Sequence, residues 1–130
     1  MKKIPAILST LVFFFLGASF SAISAEVDKK VIIFINSDDV QQQEQVNELN
    51  TLLMTKNNVK QKIFVIDTAI EGKPFLGEVN YLHDSYGYYT NFFLPQIIPE
   101  VIEVIDDFPM DRYHLDRHGF DKVSQLVTGK

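Results

Sequence analysis

Residues 93–105 read FLPQIIPEVIEVI, a run rich in β-branched residues with Pro99 where a strand would begin. A central strand hides both faces and reads as nearly continuous apolar sequence, while proline, which donates no ladder hydrogen bond, belongs at a strand's first position. The rest of the chain is arranged about this piece. Glu103 is the one local conflict, a charge inside a strand that should be buried. It lies either near the strand's exposed end or on a surface that another protein covers.

Upstream, residues 31–35, VIIFI, have the length and branching of a second buried strand. Asn36, Ser37, Asp38 and Asp39 follow, residue types that cap helices, and Asp39 with Gln42 three positions later has the spacing of a capping box. From Val40 to about Lys56 the apolar Val46, Leu49, Leu52 and Leu53 recur at helical intervals, which predicts an amphipathic helix stopped by Asn57 and Asn58. Residues 61–67, QKIFVID, read as the next strand, and a strand, helix, strand succession of this length makes a right-handed crossover between parallel strands.

Residues 68–77 hold Gly72, Pro74 and Gly77 and read as a loop. Residues 81–93, YLHDSYGYYTNFF, read as a short helix and loop rich in rings, with two roles open. The rings cover one face of the sheet, or Tyr86, Tyr88 and Tyr89 form an exposed patch for a partner. Residues 106–110, DDFPM, read as a turn. Residues 112–120 alternate as a half-exposed edge strand antiparallel to its predecessor, with Arg112, His114, Asp116 and His118 on one face. Asp121 then caps a closing helix over residues 122–128, with Gly129 ending it.

The N-terminus carries Lys2 and Lys3, an apolar stretch over residues 4–20, and small residues up to Ser24 and Ala25. That is the three-part pattern of a secretory signal peptide, with cleavage expected after Ala25 and residues 26–130 forming one domain. The expected location is the periplasm, with no stable membrane insertion after cleavage. The chain carries a net charge of −5, and loss of Lys2 and Lys3 makes the remainder more acidic. An acidic domain repels phosphate backbones, which argues against nucleic acid as a partner. The sequence has no cysteine, so disulfides, thiol catalysis and thiolate metal ligation are all absent.

The order of elements, with VIIFI, the SDD turn at Ser37 to Asp39, the Ile98-Pro99 step before VIEVI, and Gly119-Phe120 ahead of a closing helix, resembles the thioredoxin-like fold in its minimal form. The resemblance implies an α/β domain with a four-stranded mixed sheet flanked by helices. It also implies that Pro99 corresponds to the family's cis-proline, facing the first helix's N-terminus. The chain departs from the family where thioredoxins carry Cys-x-x-Cys, since Asn36, Ser37, Asp38 and Asp39 stand there and dithiol exchange is chemically impossible. Exported, cysteine-poor members associated with conjugative type IV secretion and pilus assembly are similar in export, size and the Ile-Pro-strand pattern.

The expected function is therefore a non-redox binding or scaffold module for a protein or extended peptide of the cell envelope. Ser37, Asp38, Asp39, Ile98, Pro99, Tyr86, Tyr88 and Tyr89 are its candidate contact residues, and no cofactor or catalytic residue is assigned. No nucleophile elbow, phosphate-cradling loop or His-Glu-x-x-His is present. The alternative is a periplasmic metal-binding protein using His114 and His118 with Asp116, two imidazoles and a carboxylate that suit zinc or copper. Arg112 and Arg117 beside them oppose a cation. Asp38 and Asp39 could be read as an acid and base pair, but carboxylates at a helix N-terminus are held ionised, and capping is the expected role.

Overall fold

The computed structural model describes residues 27–55 and 62–128. The expected signal peptide, the Asn57 and Asn58 helix stop and the Gly129 helix end lie outside the described residues. The apolar runs become strands where expected: β1 (Lys29–Ile35), β2 (Lys62–Asp67) and β4 (Glu100–Ile105). β1 pairs with β2 in parallel and with β4 antiparallel, so it sits at the centre of the sheet with both faces covered. Val31, Ile33, Phe34 and Ile35 are essentially without solvent contact. Each such side chain contributes roughly 1.5–3 kcal/mol through burial.

Alternation along β1 divides the interior in two. Val31, Ile33 and Ile35 point toward α1 (Val40–Met54), through Val46, Leu49 and Leu53, and toward α3 (Arg117–Thr128), through Phe120, Val123 and Val127. Ile32 and Phe34 point the other way and join Ile66, Ile102 and Val104 beneath Tyr89 and Phe93 of the short α2 (Tyr88–Phe93). Helix α1 thus buries the stripe that its sequence period shows.

The sheet has five strands among the described residues, in the order β3 (Asn80–His83), β2, β1, β4, β5 (Phe108–His114), and the expected count of four is corrected. The added member, β3, lies in the segment read as irregular and runs parallel to β2 at the sheet edge. One exposed and three half-exposed residues carry too little alternation to signal a strand; the ladder to β2 makes it one. Its approach is fixed by buried Asn50 of α1, whose Oδ1 accepts the Glu78 and Val79 N–H groups at 3.0 and 3.1 Å.

The last third shifts upstream relative to the sequence reading. β5 occupies Phe108–His114, antiparallel to β4 as expected, and α3 starts at Arg117 instead of Lys122. Asp116 is its cap in place of Asp121, with the carboxylate accepting the Gly119 N–H at 2.8 Å and the carbonyl accepting the Phe120 N–H. Pro109 is admitted because β5 is an edge strand and a register irregularity falls at Glu103/Val104 opposite it. Glu103 is also explained. It is half-buried and accepts the Tyr113 hydroxyl at 2.7 Å, with Lys122 at 4.0 Å.

The β4–β5 turn consists of Asp106 and Asp107, with φ of 51° and 71°. Positive φ at both central residues is what a type I′ hairpin turn requires, and glycine is favoured at the second. Asp107→Gly is expected to raise stability by about 0.5–1 kcal/mol, because the left-handed penalty of an L-residue exceeds the entropy that glycine adds to the unfolded chain. A chemical-denaturation midpoint that falls on this substitution would refute it. The exposed Lys30 contact that Asp107 gives up, at 3.3 Å, is of the weak surface class.

Candidate functional site

The strand registers bring five chain segments to one end of the sheet. Ile35, Asp67 and His83, the last residues of β1, β2 and β3, lie side by side, while Glu100 begins β4 opposite Phe34 and pairs with His114 at the end of β5. This is the carboxyl end of the parallel strands, where open α/β sheets leave a crevice. Backbone bonds extend the sheet past its ladder here, with Thr68 N–H to Ile35 O at 2.8 Å, Asp84 N–H to Asp67 O at 2.9 Å, and Leu115 N–H to Pro99 O at 2.9 Å.

A buried carboxylate fixes the first of these loops. Asp67 has no solvent contact. Its Oδ1 accepts the Ser37 and Ala69 N–H groups at 3.0 Å each, and its Oδ2 accepts the Lys73 N–H at 3.2 Å and the Tyr81 hydroxyl at 2.5 Å. Burial alone would push its pKa up, but Ser37, Tyr81 and the backbone donors outweigh burial and hold it below the usual aspartate value. The Ser37 hydroxyl contributes by proximity, although it makes no hydrogen bond of ordinary geometry. The Tyr81 hydroxyl responds in the opposite sense: burial and then the Asp67 carboxylate raise its pKa.

With Ser37 tied down, the chain enters α1 through Asp39, which has extended φ and ψ of −90° and 114° and accepts the Gln41 N–H at 2.9 Å. The capping box is present in altered form. Gln42 donates to Asp39 Oδ2 at 3.2 Å, yet its carbonyl reaches back past Asp39 to the Asn36 N–H at 2.7 Å. Gln43 donates to the Ser37 carbonyl. Farther along α1, Gln45 donates to the Leu115 carbonyl at 2.9 Å and so joins the helix to the β5–α3 corner.

These bonds leave a cavity of about 320 Å3 between the start of α1, Ile98 and Pro99, and residues 114–117. The Ile98-Pro99 peptide bond is cis. Ile98 is exposed at the rim, Leu115 is buried in the floor, and Asp39 and Asp116 stand among the walls. Beside it, on the other side of Gln41, Gln45 and Arg117, a second cavity of about 250 Å3 continues along α1 past Glu44 and Glu48 to Phe120. Behind the cavity the buried Glu100 accepts the Gln96 N–H at 3.0 Å and lies 3.8 Å from Arg112.

Of the expected contact residues, Asp39, Ile98 and Pro99 line the first cavity together. Ser37 is wholly buried and acts internally, and Asp38 is exposed on the turn without lining the cavity. The tyrosines separate. Tyr86 and Tyr88 are exposed, whereas Tyr89 packs against the second sheet face, so the rings of this segment cover the sheet only in part. Asp84 organises it, accepting the Tyr89 and Thr90 N–H groups at 3.1 and 2.8 Å and the Thr90 hydroxyl at 2.6 Å. Burial opposes ionisation of Asp84, but the Thr90 hydroxyl and the N–H groups of residues 88–90 prevail and lower its pKa.

His114 and His118 do not share a strand face, since His114 ends β5 and His118 lies in the first turn of α3. They line a shallow depression with Asp116 and Lys122, where His114 Nδ1 is 3.9 Å from Asp116 Oδ2. Among the described residues no group of three or more His, Cys, Asp or Glu side chains could hold a metal ion.

Sequence reasoning missed Asp67, the role of Asp84 in ordering residues 88–90, and the α1 face formed by Gln41, Glu44, Gln45 and Glu48. For Asp67 a signal existed, since a carboxylate closing an apolar strand run needs several donors to be buried. For the helix face none did, because polar residues on an amphipathic helix read as solvated. No protein-family model matches the chain, and no curated protein is significantly similar to it.

Proposed function

We propose that the chain is an exported, non-redox binding or scaffold module with a thioredoxin-like fold that engages a protein or extended peptide of the cell envelope. The observation that carries the reading is the convergence of Asp39, Ile98, Pro99 and residues 114–117 on one cavity at the carboxyl end of the parallel strands. Support for the fold assignment comes from the order β2-β1-β4-β5, with β2 parallel and β4 antiparallel to β1, and from a cis Ile98-Pro99 step leading into β4 beside the start of α1. Lys2, Lys3 and the apolar stretch that follows support export, and no helix among the described residues is long and apolar enough to cross a membrane. With no cysteine, the groove can bind without exchanging disulfides. A role in secretion-system or pilus assembly fits these properties.

A photo-crosslinking residue placed at Ile98 is expected to form one discrete adduct in the cell envelope. The same residue at exposed Gln125 of α3, which lines neither cavity, is expected to form none. Equal labelling from both positions, or no adduct from Ile98, would remove the groove from the reading.

A further inference from the structure

The two faces of the sheet are covered unequally. α1 and α3 pack across the first, whereas among the described residues the second carries only α2, six residues long. Between α2 and the sheet lies an apolar cavity of about 300 Å3. Half-buried Phe64, Leu82, Tyr89 and Phe93 line it together with exposed Phe92. A sheet face left this open is completed by a further layer.

The chain around α2 is exposed, apolar and uncharged. Residues 85–99 hold no charged side chain, although Asp, Glu, Lys and Arg make up 22% of the protein. Tyr86, Tyr88 and Phe92 are 95%, 69% and 68% exposed, and Leu94 and Ile97 are more than half exposed. Tyr88 and Phe92 stand four apart on α2 and share one side of it. Leu94 closes α2 with φ of 52° and ψ of 60°, a left-handed conformation in which glycine or asparagine is the ordinary residue. A leucine kept there with its side chain in solvent is placed for contact and not for folding. The strip is also held in position, since Arg112 donates to the Leu94 carbonyl at 3.4 Å and Glu100 accepts the Gln96 N–H at 3.0 Å.

Area and shape identify the occupant. At about 200 Å2 per ring, the three exposed rings alone present roughly 450 Å2. Leu94 and Ile97 carry the total past the roughly 500 Å2 per partner that a stable interface of about 1,000 Å2 requires. A contact about a twofold axis uses the same patch on both copies, so the patch must project side chains and receive them. This one does both, with the exposed rings of α2 standing beside an apolar cavity. A bilayer surface needs projecting groups only, and anionic headgroups repel an acidic chain. Two acidic copies meet without opposing their carboxylates where neither carries charge, which is the surface that residues 85–99 provide.

We infer that the chain forms a twofold homodimer through the uncharged strip of residues 86–97, with the exposed α2 rings of each copy seated over the apolar cavity of the other. The inference is independent of the groove at Ile98 and Pro99.

The test is sedimentation equilibrium of the protein purified from cells expressing the full chain, as wild type, Y88S/F92S and I70S/L76S. Ile70 and Leu76 are equally exposed but lie on the loop of residues 68–79. Wild type and I70S/L76S should show twice the monomer mass with a Kd of about 10 µM or tighter. Y88S/F92S should dimerise about tenfold more weakly or worse. Because the protein has no cysteine, Tyr88→Cys, Phe92→Cys and Leu94→Cys give a second readout that does not depend on the double variant folding. On oxidation at least one of them should yield covalent dimer roughly fivefold faster than Gln125→Cys, which lies on exposed α3 surface away from the strip. A wild type that stays monomeric at about 100 µM, a dimer weakened equally by both double variants, or cysteines of the strip that crosslink no faster than Gln125→Cys would each overturn the inference. Wild type that is monomeric yet floats with phosphatidylcholine vesicles would overturn it in favour of a lipid surface.

Discussion

Asp67→Ala is expected to lower the unfolding free energy by about 3–5 kcal/mol, because it strips the partner from three backbone N–H groups and one hydroxyl at a position without solvent contact. Each orphaned buried donor costs about 1–3 kcal/mol, and water admitted to the vacated space recovers part of the sum. Tyr81→Phe removes one of the four bonds and should cost only about 1 kcal/mol. Denaturant unfolding of the two variants separates a keystone from an ordinary polar contact, and equal effects would refute the keystone role. The consequence reaches the groove, since Ser37 and the turn into α1 are held through this carboxylate.

The same carboxylate sets an acid limit on stability. Its pKa is lowered in the folded chain, so across the window between the folded and unfolded values the unfolded state binds more protons. The stabilisation is full above the unfolded value near 3.8 and disappears as pH falls through the lower folded value. Asp84 acts with the same sign. Stability should therefore decline from about pH 5 downward, and Asp67→Asn should flatten that decline while lowering the plateau at neutral pH. An unchanged acid limb in Asp67→Asn would show that Asp67 does not govern it.

Gly119→Ala is the second large effect expected. Gly119 lies in the first turn of α3, and a Cβ added there would collide with the His114 backbone carbonyl and press on the Tyr113 ring. A flexible side chain could yield, but the carbonyl belongs to β5 and cannot move without displacing the strand. The expected cost is about 3 kcal/mol or more, at the upper end for overpacking. Gly87→Ala provides the contrast. Gly87 has φ of 73°, but the added Cβ would meet nothing closer than 3.7 Å, so the left-handed penalty of about 1–2 kcal/mol should be the whole effect. Thermal unfolding of both variants decides the matter, and a smaller loss at Gly119 than at Gly87 would refute the close-packing argument. The close approach also has a functional consequence. It locks the start of α3 against the end of β5 and thereby places Asp116 and Arg117 beside Ile98 and Pro99.

How far the sequence could be read depended on whether the information was local. The apolar runs of β1, β2 and β4 are legible because a strand buried on both faces has no alternative composition. Helix α1 is legible because Val46, Leu49 and Leu53 repeat with its turn. The step into β4 through Pro99 follows from a residue that cannot donate. The absence of thiol chemistry follows from composition alone.

Only the tertiary structure decided the remainder, because there the meaning of a residue depends on what distant chain brings to it. Asn80–His83 is a strand only because β2 offers a ladder, and residues 117–120 begin a helix although their alternation suits a strand. Asp67 draws its donors from Ser37, thirty positions earlier, and Tyr81, fourteen later. Ile98 and Arg117 come to line one cavity, and Arg117 and Glu44 its neighbour, only after the registers of β1, β4 and β5 are set. Hydrophobic pattern is written along the chain and fixes which elements form. Partnerships of polar groups are made across it, and they determine what the assembled surface can hold.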